Sequence, residues 1–236
     1  MTTWRAATVA STARLTSTAR SIVLDVPGWQ GNLAGQHLDL RLTAEDGYQA
    51  VRSYSIASVG PGQLVELGVD KVVDGEVSPY LVDEVRAGDQ LEIRGPLGGW
   101  FVWRPADVGP VQLVAGGSGI VPLAAMIRAR RTSSSVAPFR LLYSARTPDD
   151  VLFAPELDNA GDVEITFAYT RRAPDGFARK PKRLDRTDLA ELTLPPADDL
   201  TVFVCGPTGF VEAVADGLVS LGHDPARVKT ERFGGA

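Results

Sequence analysis

The sequence predicts a protein of two domains: a small antiparallel β-barrel over residues 1–105, followed by an α/β domain with a parallel sheet over residues 106–236. Short alternating or β-branched segments separated by turn residues fill the first hundred positions. After Arg104-Pro105 the rhythm changes, and apolar runs alternate with helical patterns. A length of 236 residues is sufficient for two hydrophobic cores of ordinary size.

The barrel prediction rests on short strands and one short helix. Turn clusters such as Pro27-Gly28 and Glu45-Asp46-Gly47 separate the strands, which is the pattern of an antiparallel barrel. The helix is predicted over Ser78–Glu84, with Ser78 as N-cap and Pro79 at the first helical position. The predicted strands are Ala19–Val26, His37–Thr43, Val51–Ser58, Leu64–Val73 and Leu91–Arg94.

The second domain is predicted to be parallel because its apolar strands are joined by helices. Continuous apolar runs indicate strands that are buried on both faces. The predicted strands are Val111–Ala115, Phe139–Tyr143, Val163–Thr170, Thr201–Cys205 and Val228–Phe233. The predicted helices are Ile120–Arg130, Asp149–Asp158 and Thr208–Leu221.

Composition excludes several classes of protein. With one cysteine, Cys205, and two histidines, the chain predicts no disulfide framework, no iron–sulfur cluster of its own and no metal site. We expect His37 to be a barrel residue and His223 a surface loop residue. A formal net charge of -5 gives no reason to expect a nucleic-acid partner. The chain shows neither a signal peptide nor a membrane span, so the expected location is cytoplasmic.

Two glycine-containing segments follow predicted strands of the second domain. Gly116-Gly117-Ser118-Gly119 joins a buried strand to a helix, and Cys205-Gly206-Pro207 precedes another helix. Glycines allow a ligand to approach the backbone, and a helix N-terminus favours phosphate. In open α/β sheets, ligands bind at the carboxyl ends of strands. The pair therefore indicates a nucleotide site, although each segment alone is equally consistent with a tight strand–helix turn.

The barrel carries two further motifs. Arg52-Ser53-Tyr54-Ser55 lies on a predicted strand, and Gly75-Glu76-Val77-Ser78 opens the predicted helix. An arginine and a helix N-terminus both suit phosphate. Taken separately, the first motif is also consistent with a surface arginine, a packed tyrosine and edge serines, and the second with an ordinary turn.

Together, in this order, these four motifs resemble the ferredoxin–NADP⁺ reductase superfamily. The resemblance covers nearly the whole chain, since Gly88-Asp89, Gly95-Pro96-Leu97-Gly98 and Glu231-Arg232-Phe233 fit as well. It implies an FAD-binding β-barrel domain followed by an NAD(P)-binding α/β domain. It also implies a reaction in which flavin takes hydride from a nicotinamide dinucleotide.

The resemblance also implies the residues that hold the flavin. Arg52 would bind a flavin phosphate, Tyr54 would stack on the isoalloxazine ring, and Ser55 would hydrogen-bond near flavin N5. The segment Gly75, Glu76, Val77 and Ser78 would cradle the pyrophosphate, which favours FAD over FMN. Val69 and Lys71 would line the flavin through backbone and side chain.

For the second cofactor, the resemblance implies that Gly117, Gly119 and Ile120 meet the dinucleotide pyrophosphate. Cys205, Gly206 and Pro207 would lie beside the nicotinamide, with Ser55 and Cys205 near the hydride path. Cys205 is not expected to act as a covalent nucleophile. Phe233 stands close to the position of a closing tyrosine in other family members, and whether it covers the flavin stays open.

The choice between NADP(H) and NAD(H) depends on cations near the adenosine ribose, where only NADP(H) carries a 2′-phosphate. Arg146 follows one strand, and Thr170-Arg171 follows the next and resembles a Ser-Arg pair of NADP-dependent members. The basic residues Arg179, Lys180, Lys182 and Arg183 lie beyond it. We favour NADPH. The alternatives are that this loop is solvated or that it docks an acidic electron acceptor.

Three functions follow. The first is a reductase that passes electrons from NAD(P)H through FAD to a separate acceptor protein, either an iron–sulfur protein or the redox centre of an oxygenase. The second is a stand-alone flavin or quinone reductase with a small-molecule acceptor. The third is a catalytically silent subunit that keeps the fold for partner binding. The sequence does not determine the oligomeric state.

Overall fold

The chain forms two compact units, one up to Arg104 and one from Pro105 onward. The structure is a computed structural model that describes residues 3–161 and 163–233. The first unit contains a six-stranded antiparallel sheet and the second a five-stranded parallel sheet. The predicted fold class is therefore confirmed.

The first unit is a small barrel. Its strands lie in the order β4-β3-β6-β1-β2-β5, and a bridge between Ile56 and Leu67 brings the two ends of the sheet together. Fully buried aliphatic side chains such as Ile22, Leu38 and Ile93 fill the interior. The elements are β1 (Arg5–Arg14), β2 (Ala19–Asp25), β3 (His37–Thr43), β4 (Gln49–Ser55), β5 (Leu64–Asp70), α1 (Ser78–Asp83) and β6 (Gln90–Leu97).

Two details of the barrel differ from the sequence prediction. Strand β1 was not predicted, because its side chains are short and a register shift between Val9 and Ser11 interrupts the alternation. Ser78 is not the N-cap of α1, since Val77 occupies that position. The Ser78 hydroxyl instead accepts a hydrogen bond from the Val72 N–H at 3.0 Å.

The second unit is a parallel sheet in the order β11-β10-β7-β8-β9. Strand β7 is central, and the chain moves to opposite sides of it at β8 and at β10. The carboxyl ends of β7 and β10 therefore flank the crevice at which ligands bind in open α/β sheets. The elements are β7 (Val111–Gly116), α2 (Ile120–Thr132), β8 (Phe139–Ala145), α3 (Ala154–Leu157), β9 (Glu164–Tyr169), α4 (Arg186–Leu192), β10 (Thr201–Pro207), α5 (Thr208–Ser220) and β11 (Val228–Phe233).

Two predictions for this unit were wrong, and one helix was missed. The helix expected over residues 149–158 is a 3₁₀ turn followed by the four-residue α3. Helix α4 was not predicted, and a capping box between Asp185 and Asp188 starts it. His223 is buried rather than exposed, and burial lowers its pKa. Within residues 3–161 and 163–233, no helix has the length and apolar character needed to cross a membrane.

Candidate functional site

The arginine, tyrosine and second serine of the barrel motif lie at the end of β4, an edge strand that pairs with β3. Arg52 is exposed, whereas Tyr54 packs against the barrel core, where burial raises the pKa of its phenol. Ser53 donates a 2.7 Å hydrogen bond to Asp39, which explains this serine structurally. Arg52, Tyr54 and Ser55 therefore stand together on one edge of the barrel.

The Gly75–Ser78 segment is a tight turn that leads into α1. A Cβ atom at Gly75 would lie 3.1 Å from both the Ser78 hydroxyl oxygen and the Val72 carbonyl oxygen. A side chain at this position would require its neighbours to shift by a few tenths of an ångström, so close packing within the turn explains the glycine. Val77 and Ser78 are buried, so among the four residues Glu76 places the longest side chain at the surface.

An ion pair brings the two barrel motifs together. The Arg52 guanidinium donates to the Glu76 carboxylate at 2.6 Å, and the Tyr48 hydroxyl donates to the other Glu76 oxygen at 2.9 Å. Arg52 and Glu76 are 24 positions apart, and only the fold places them in contact. The fold thereby places a guanidinium, which suits phosphate, beside the Gly75–Ser78 turn, where the Glu76 carboxylate pairs with it in this structure.

Two further residues expected at the flavin have structural roles. The Val69 side chain is fully buried in the barrel core, so of the expected backbone and side-chain contacts with the flavin only the backbone ones are available to this residue. Lys71 donates a 2.6 Å hydrogen bond to Asp83 and lowers the pKa of that carboxyl. Both residues stabilise β5 and α1 in the neighbourhood of the turn.

In the second unit, the glycine-rich turn packs against the end of β10. A Cβ at Gly119 would overlap the Cys205 carbonyl, and a Cβ at Gly116 would lie 2.6 Å from the Phe210 ring. Gly117 differs, because it has a φ of +54° and open space where a Cβ would point. Close packing therefore explains Gly116 and Gly119, and Gly117 presents open backbone at the strand end.

Ile120 was expected at the dinucleotide pyrophosphate, but it has no accessible side chain. Its side chain is fully buried, and its N–H is bonded to the carbonyls of Gly117 and Ser118. The residue closes the 3₁₀ turn and begins α2, so its position is explained by local structure.

Cys205 lies in β10 between Ala115 of β7 and Glu231 of β11. Its side chain is fully buried, and burial raises the pKa of the thiol well above its usual range. A buried, protonated thiol is a poor nucleophile. Burial also raises the pKa of the Glu231 carboxyl beside it to about 7.

The ends of β10 and β11 carry the remaining predicted residues. Gly206 is buried beneath the Phe210 ring, since a Cβ there would lie 2.8 Å from that ring. Pro207 is exposed, and it pairs in register with the half-buried Phe233 at the end of β11. The sequence analysis assigned no role to Glu231. The available signal was the Glu231-Arg232-Phe233 segment, which fits the family pattern.

Arg146 and Arg171 stand at the carboxyl ends of β8 and β9. The two loops are joined, because the Arg171 N–H donates to the Arg146 carbonyl at 2.9 Å. Within residues 3–161 and 163–233, neither arginine side chain has an ion pair, whereas the neighbouring Arg172 pairs with Asp149. The backbone N–H of Thr170 donates to Ala145 and continues the link between the strand ends.

The basic residues beyond β9 lie in two different environments. Arg179 binds Asp188 through two hydrogen bonds of 3.0 and 2.8 Å, and Lys182 binds Asp185 at 2.5 Å. The bond from Arg179 is the main reason that the pKa of Asp188 lies far below its usual range. These two cations therefore stabilise the start of α4 and the loop that leads into it. Arg183 instead faces a cavity.

This cavity has a volume of about 400 Å³ and lies within the second unit. Its lining combines polar and apolar groups, which is the usual composition of a small-molecule site. The strand ends after β8, β9 and β10 contribute to it together with the first turns of α5. It is lined by Ser144, Thr170, Arg183, Leu184, Pro207, Gly209, Phe210, Ala213 and Val214.

Both units match families of known domains. Residues 6–102 match the oxidoreductase FAD-binding domain, and residues 113–216 match the oxidoreductase NAD-binding domain. The residues present are compatible with these cofactors, because an arginine, a residue type that suits phosphate, lies beside a glycine-containing turn in the first unit. In the second unit, the open backbone of Gly117 lies at the end of a central parallel strand.

Similar proteins agree with this assignment. The chain is 30% identical over 204 residues to NADH-cytochrome b5 reductase 1 of Neosartorya fischeri, which covers 82% of this chain and 65% of that protein. It is 32% identical over 211 residues to the glycine betaine monooxygenase reductase subunit of Chromohalobacter salexigens, covering 85% of this chain and 55% of that one. The chain thus spans between about half and two thirds of the length of these curated relatives.

Among solved structures, the chain is similar to the flavohem-like FAD/NAD-binding domain of nitric oxide dioxygenase from Vibrio cholerae. The TM-score is 0.83 at 28% identity, and the match covers 98% of this chain and 99% of that one. With its two matched domains in this order, the chain belongs to the ferredoxin–NADP⁺ reductase superfamily of FAD- and NAD(P)-binding oxidoreductases.

Proposed function

We propose that the chain takes hydride from NAD(P)H onto FAD and passes the electrons to an acceptor protein. The observation that carries the proposal is the contact between Arg52 and the Gly75–Ser78 turn, which unites two motifs from distant parts of the sequence. FAD when bound supplies the exchange between two-electron hydride chemistry and one-electron transfer, and the protein supplies binding and orientation.

In the barrel, Arg52 binds a flavin phosphate through its planar fork of donors. Tyr54 offers an aromatic face that is held firmly by the core, so it can shield a flat ring system. Ser55, half-buried at the end of β4, places a hydroxyl that can donate or accept a hydrogen bond at flavin N5. The Gly75–Ser78 turn, which leads into α1, receives the pyrophosphate beside Arg52.

In the second unit, the Gly117–Gly119 turn receives the dinucleotide pyrophosphate at the N-terminus of α2, a helix of 13 residues. Cys205, Gly206 and Pro207 form the floor beside the nicotinamide. The fully buried Cys205 acts there by its shape and not as a nucleophile, because burial raises the pKa of its thiol. Phe233, paired with Pro207, borders the same strand end.

The cavity at the ends of β8 and β9 suits the adenosine part of the coenzyme. Its apolar side chains accept a base, and Thr170 and Arg183 supply polar groups to its lining. Arg146 and Arg171 extend the positive charge at the neighbouring strand ends. We infer a preference for NADPH, since a 2′-phosphate requires such cations and NADH has no group that would use them.

The acceptor is proposed to be a separate protein or domain beyond this chain. Two relatives carry names that refer to such acceptors, a cytochrome b5 in one case and a monooxygenase in the other. The single cysteine of this chain cannot hold an iron–sulfur cluster by itself, so the electrons must leave the flavin for another centre. A small-molecule acceptor such as a quinone is the second candidate.

The test begins with the purified chain. We expect one non-covalently bound FAD, bleached anaerobically by NADPH at a rate above that given by NADH. Reoxidation of the reduced protein is then followed with a [2Fe–2S] ferredoxin, with cytochrome b5 and with a free quinone. A chain without flavin, or with flavin that neither coenzyme bleaches, would show a silent subunit. Reoxidation by the quinone alone would favour the second candidate.

A further inference from the structure

Ser144 places a buried hydroxyl near the end of β8. The residue is only 7% exposed, and it lines the cavity of the second unit. Among the residues that the structure describes (3–161 and 163–233), no group donates a hydrogen bond to its hydroxyl or accepts one from it. A buried polar group without a partner costs free energy, so this serine requires an explanation.

The alternation of side chains along β8 directs this hydroxyl to the face of the sheet that α5 covers. Leu142, two positions earlier and therefore on the same face, packs in one cluster with Val214 of α5. Gly116, which pairs with Ser144 in register, lies beneath the ring of Phe210 on the same helix. Val214 and Phe210 also line the cavity, so the Ser144 hydroxyl points towards it.

The neighbouring strands offer this hydroxyl no side chain to bond. Its partners in register are Gly116 on β7 and Ala168 on β9. Neither residue has a polar atom in its side chain, so the cavity is the direction from which a partner can come. A hydrogen bond to a ligand therefore explains a serine at this position, where an alanine would fill the same place in the sheet.

The order of the strands places Ser144 opposite one part of the coenzyme. Strand β8 lies between β7, whose Gly117 turn is proposed for the pyrophosphate, and β9, whose Arg171 is proposed for the 2′-phosphate. In NADPH the adenosine ribose joins these two phosphates. Its 2′-oxygen is esterified there, so the 3′-hydroxyl is the free ribose hydroxyl that NADPH and NADH share.

We propose that Ser144 is a further coenzyme-binding residue, whose hydroxyl hydrogen-bonds the 3′-hydroxyl of the adenosine ribose. This inference rests on the proposed function, in that the cavity is taken to hold the adenosine part of the coenzyme. A hydroxyl both donates and accepts, so the bond can form in either direction. Because both coenzymes carry the 3′-hydroxyl, Ser144 contributes to the affinity for the dinucleotide and not to the choice between NADPH and NADH.

The experiment measures dissociation constants by titration calorimetry on the full chain with its FAD bound. The probes are AMP, 2′,5′-ADP and 3′-deoxy-AMP, of which only the last lacks the 3′-hydroxyl. In Ser144→Ala, AMP and 2′,5′-ADP should each bind about fivefold more weakly, which is the usual worth of a neutral hydrogen bond. The affinity for 3′-deoxy-AMP should be the same in parent and variant, because this probe cannot make the bond in either protein.

Ser134→Ala is the matched control, since it removes an exposed hydroxyl from the same unit. All three probes should bind this variant as they bind the parent. The urea midpoint of Ser144→Ala without a probe should equal or exceed that of the parent, because the deleted hydroxyl bonds to none of the described residues. A serine with a merely structural role would instead lower the midpoint when replaced.

Three results would overturn the inference. An unchanged AMP affinity in Ser144→Ala would show that the bond does not form, and an equal loss for AMP and 3′-deoxy-AMP would place Ser144 against a different group. A lower urea midpoint would assign the hydroxyl to the stability of the fold. In each of these cases a nicotinamide coenzyme still bleaches the flavin of the parent, so the proposed function stands. A parent chain whose flavin neither coenzyme bleaches would overturn the proposed function and the inference together.

Discussion

The Cys205 carbonyl occupies the space where a Cβ atom at Gly119 would have to lie. This contact places the last residue of the glycine turn against the end of β10. A side chain at position 119 cannot be accommodated without moving the turn or β10, whereas the Cys205 side chain takes no part in this contact. The close approach, and not only the freedom of glycine, explains this part of the motif.

Gly119→Ala should therefore destabilise the second unit by about 1–3 kcal/mol, the usual cost of overpacking an ordered interior. Gly117→Ala is the matched control: it meets no atom within 4 Å but has a φ of +54°, so its cost should be close to 1 kcal/mol. Chemical denaturation of both variants gives the comparison. Equal losses would show that the contact with Cys205 relaxes easily.

Arg52→Ala should leave the barrel folded and weaken FAD binding by about 1.5–3 kcal/mol, because a phosphate would lose a charge-assisted hydrogen-bond partner. Fluorescence titration of the flavin-free protein measures the change, and circular dichroism checks the fold. Arg131→Ala, an exposed arginine of the second unit, is the control. Retention of FAD at the parent affinity would contradict the assignment of Arg52.

Ser55→Ala and Cys205→Ala should each slow flavin reduction in single-turnover stopped-flow measurements by about tenfold or more, through loss of alignment between the two rings. Dinucleotide binding should change less than the rate does. Ser17→Ala removes an exposed hydroxyl elsewhere in the barrel unit and should have no effect. Parent rates in both variants would show that the nicotinamide pocket lies elsewhere.

Arg171→Ala should raise the KM for NADPH by about tenfold and leave NADH kinetics nearly unchanged, because only NADPH presents a phosphate to the guanidinium. Arg183→Ala, which alters the cavity wall, should act in the same direction. Arg172→Ala serves as the control, since that arginine is paired with Asp149. Equal losses for both coenzymes, or a parent enzyme that prefers NADH, would contradict the assignment of these arginines to the 2′-phosphate. They would then be assigned to the binding of a protein partner.

The stability of the second unit should fall as the pH rises through neutrality, because burial raises the pKa of Glu231 from 4.5 to about 7. A carboxyl with a raised pKa contributes stability below its unfolded value and loses it as the pH passes the folded one. The loss amounts to roughly 3 kcal/mol between pH 4.5 and 8. Urea midpoints of the parent and of Glu231→Gln, compared at pH 5 and pH 8, should converge only at the lower pH. A constant difference would contradict the buried-charge account.

The succession of strands and helices was largely predictable, because it depends on neighbouring residues. The apolar run Val111–Ala115 followed by glycines, and the alternation within His37–Thr43, have few alternative structures. Strand β1 was missed because a bulge near Val9 interrupts its period. Helix α4 was missed because Leu189 is its only buried apolar residue; the capping pair Asp185 and Asp188 was the available signal.

The sequence by itself determined the two domains, their order and the motifs that place the chain in its family, since these follow from local periodicity and from glycines at strand ends. Only the tertiary structure decided which side chains meet. It joined Arg52 to Glu76, separated Arg183 at a cavity from Arg179 in an ion pair, and buried His223. Such contacts depend on strand order and register, which bring distant positions together, and no local pattern encodes a distance between residues 24 positions apart.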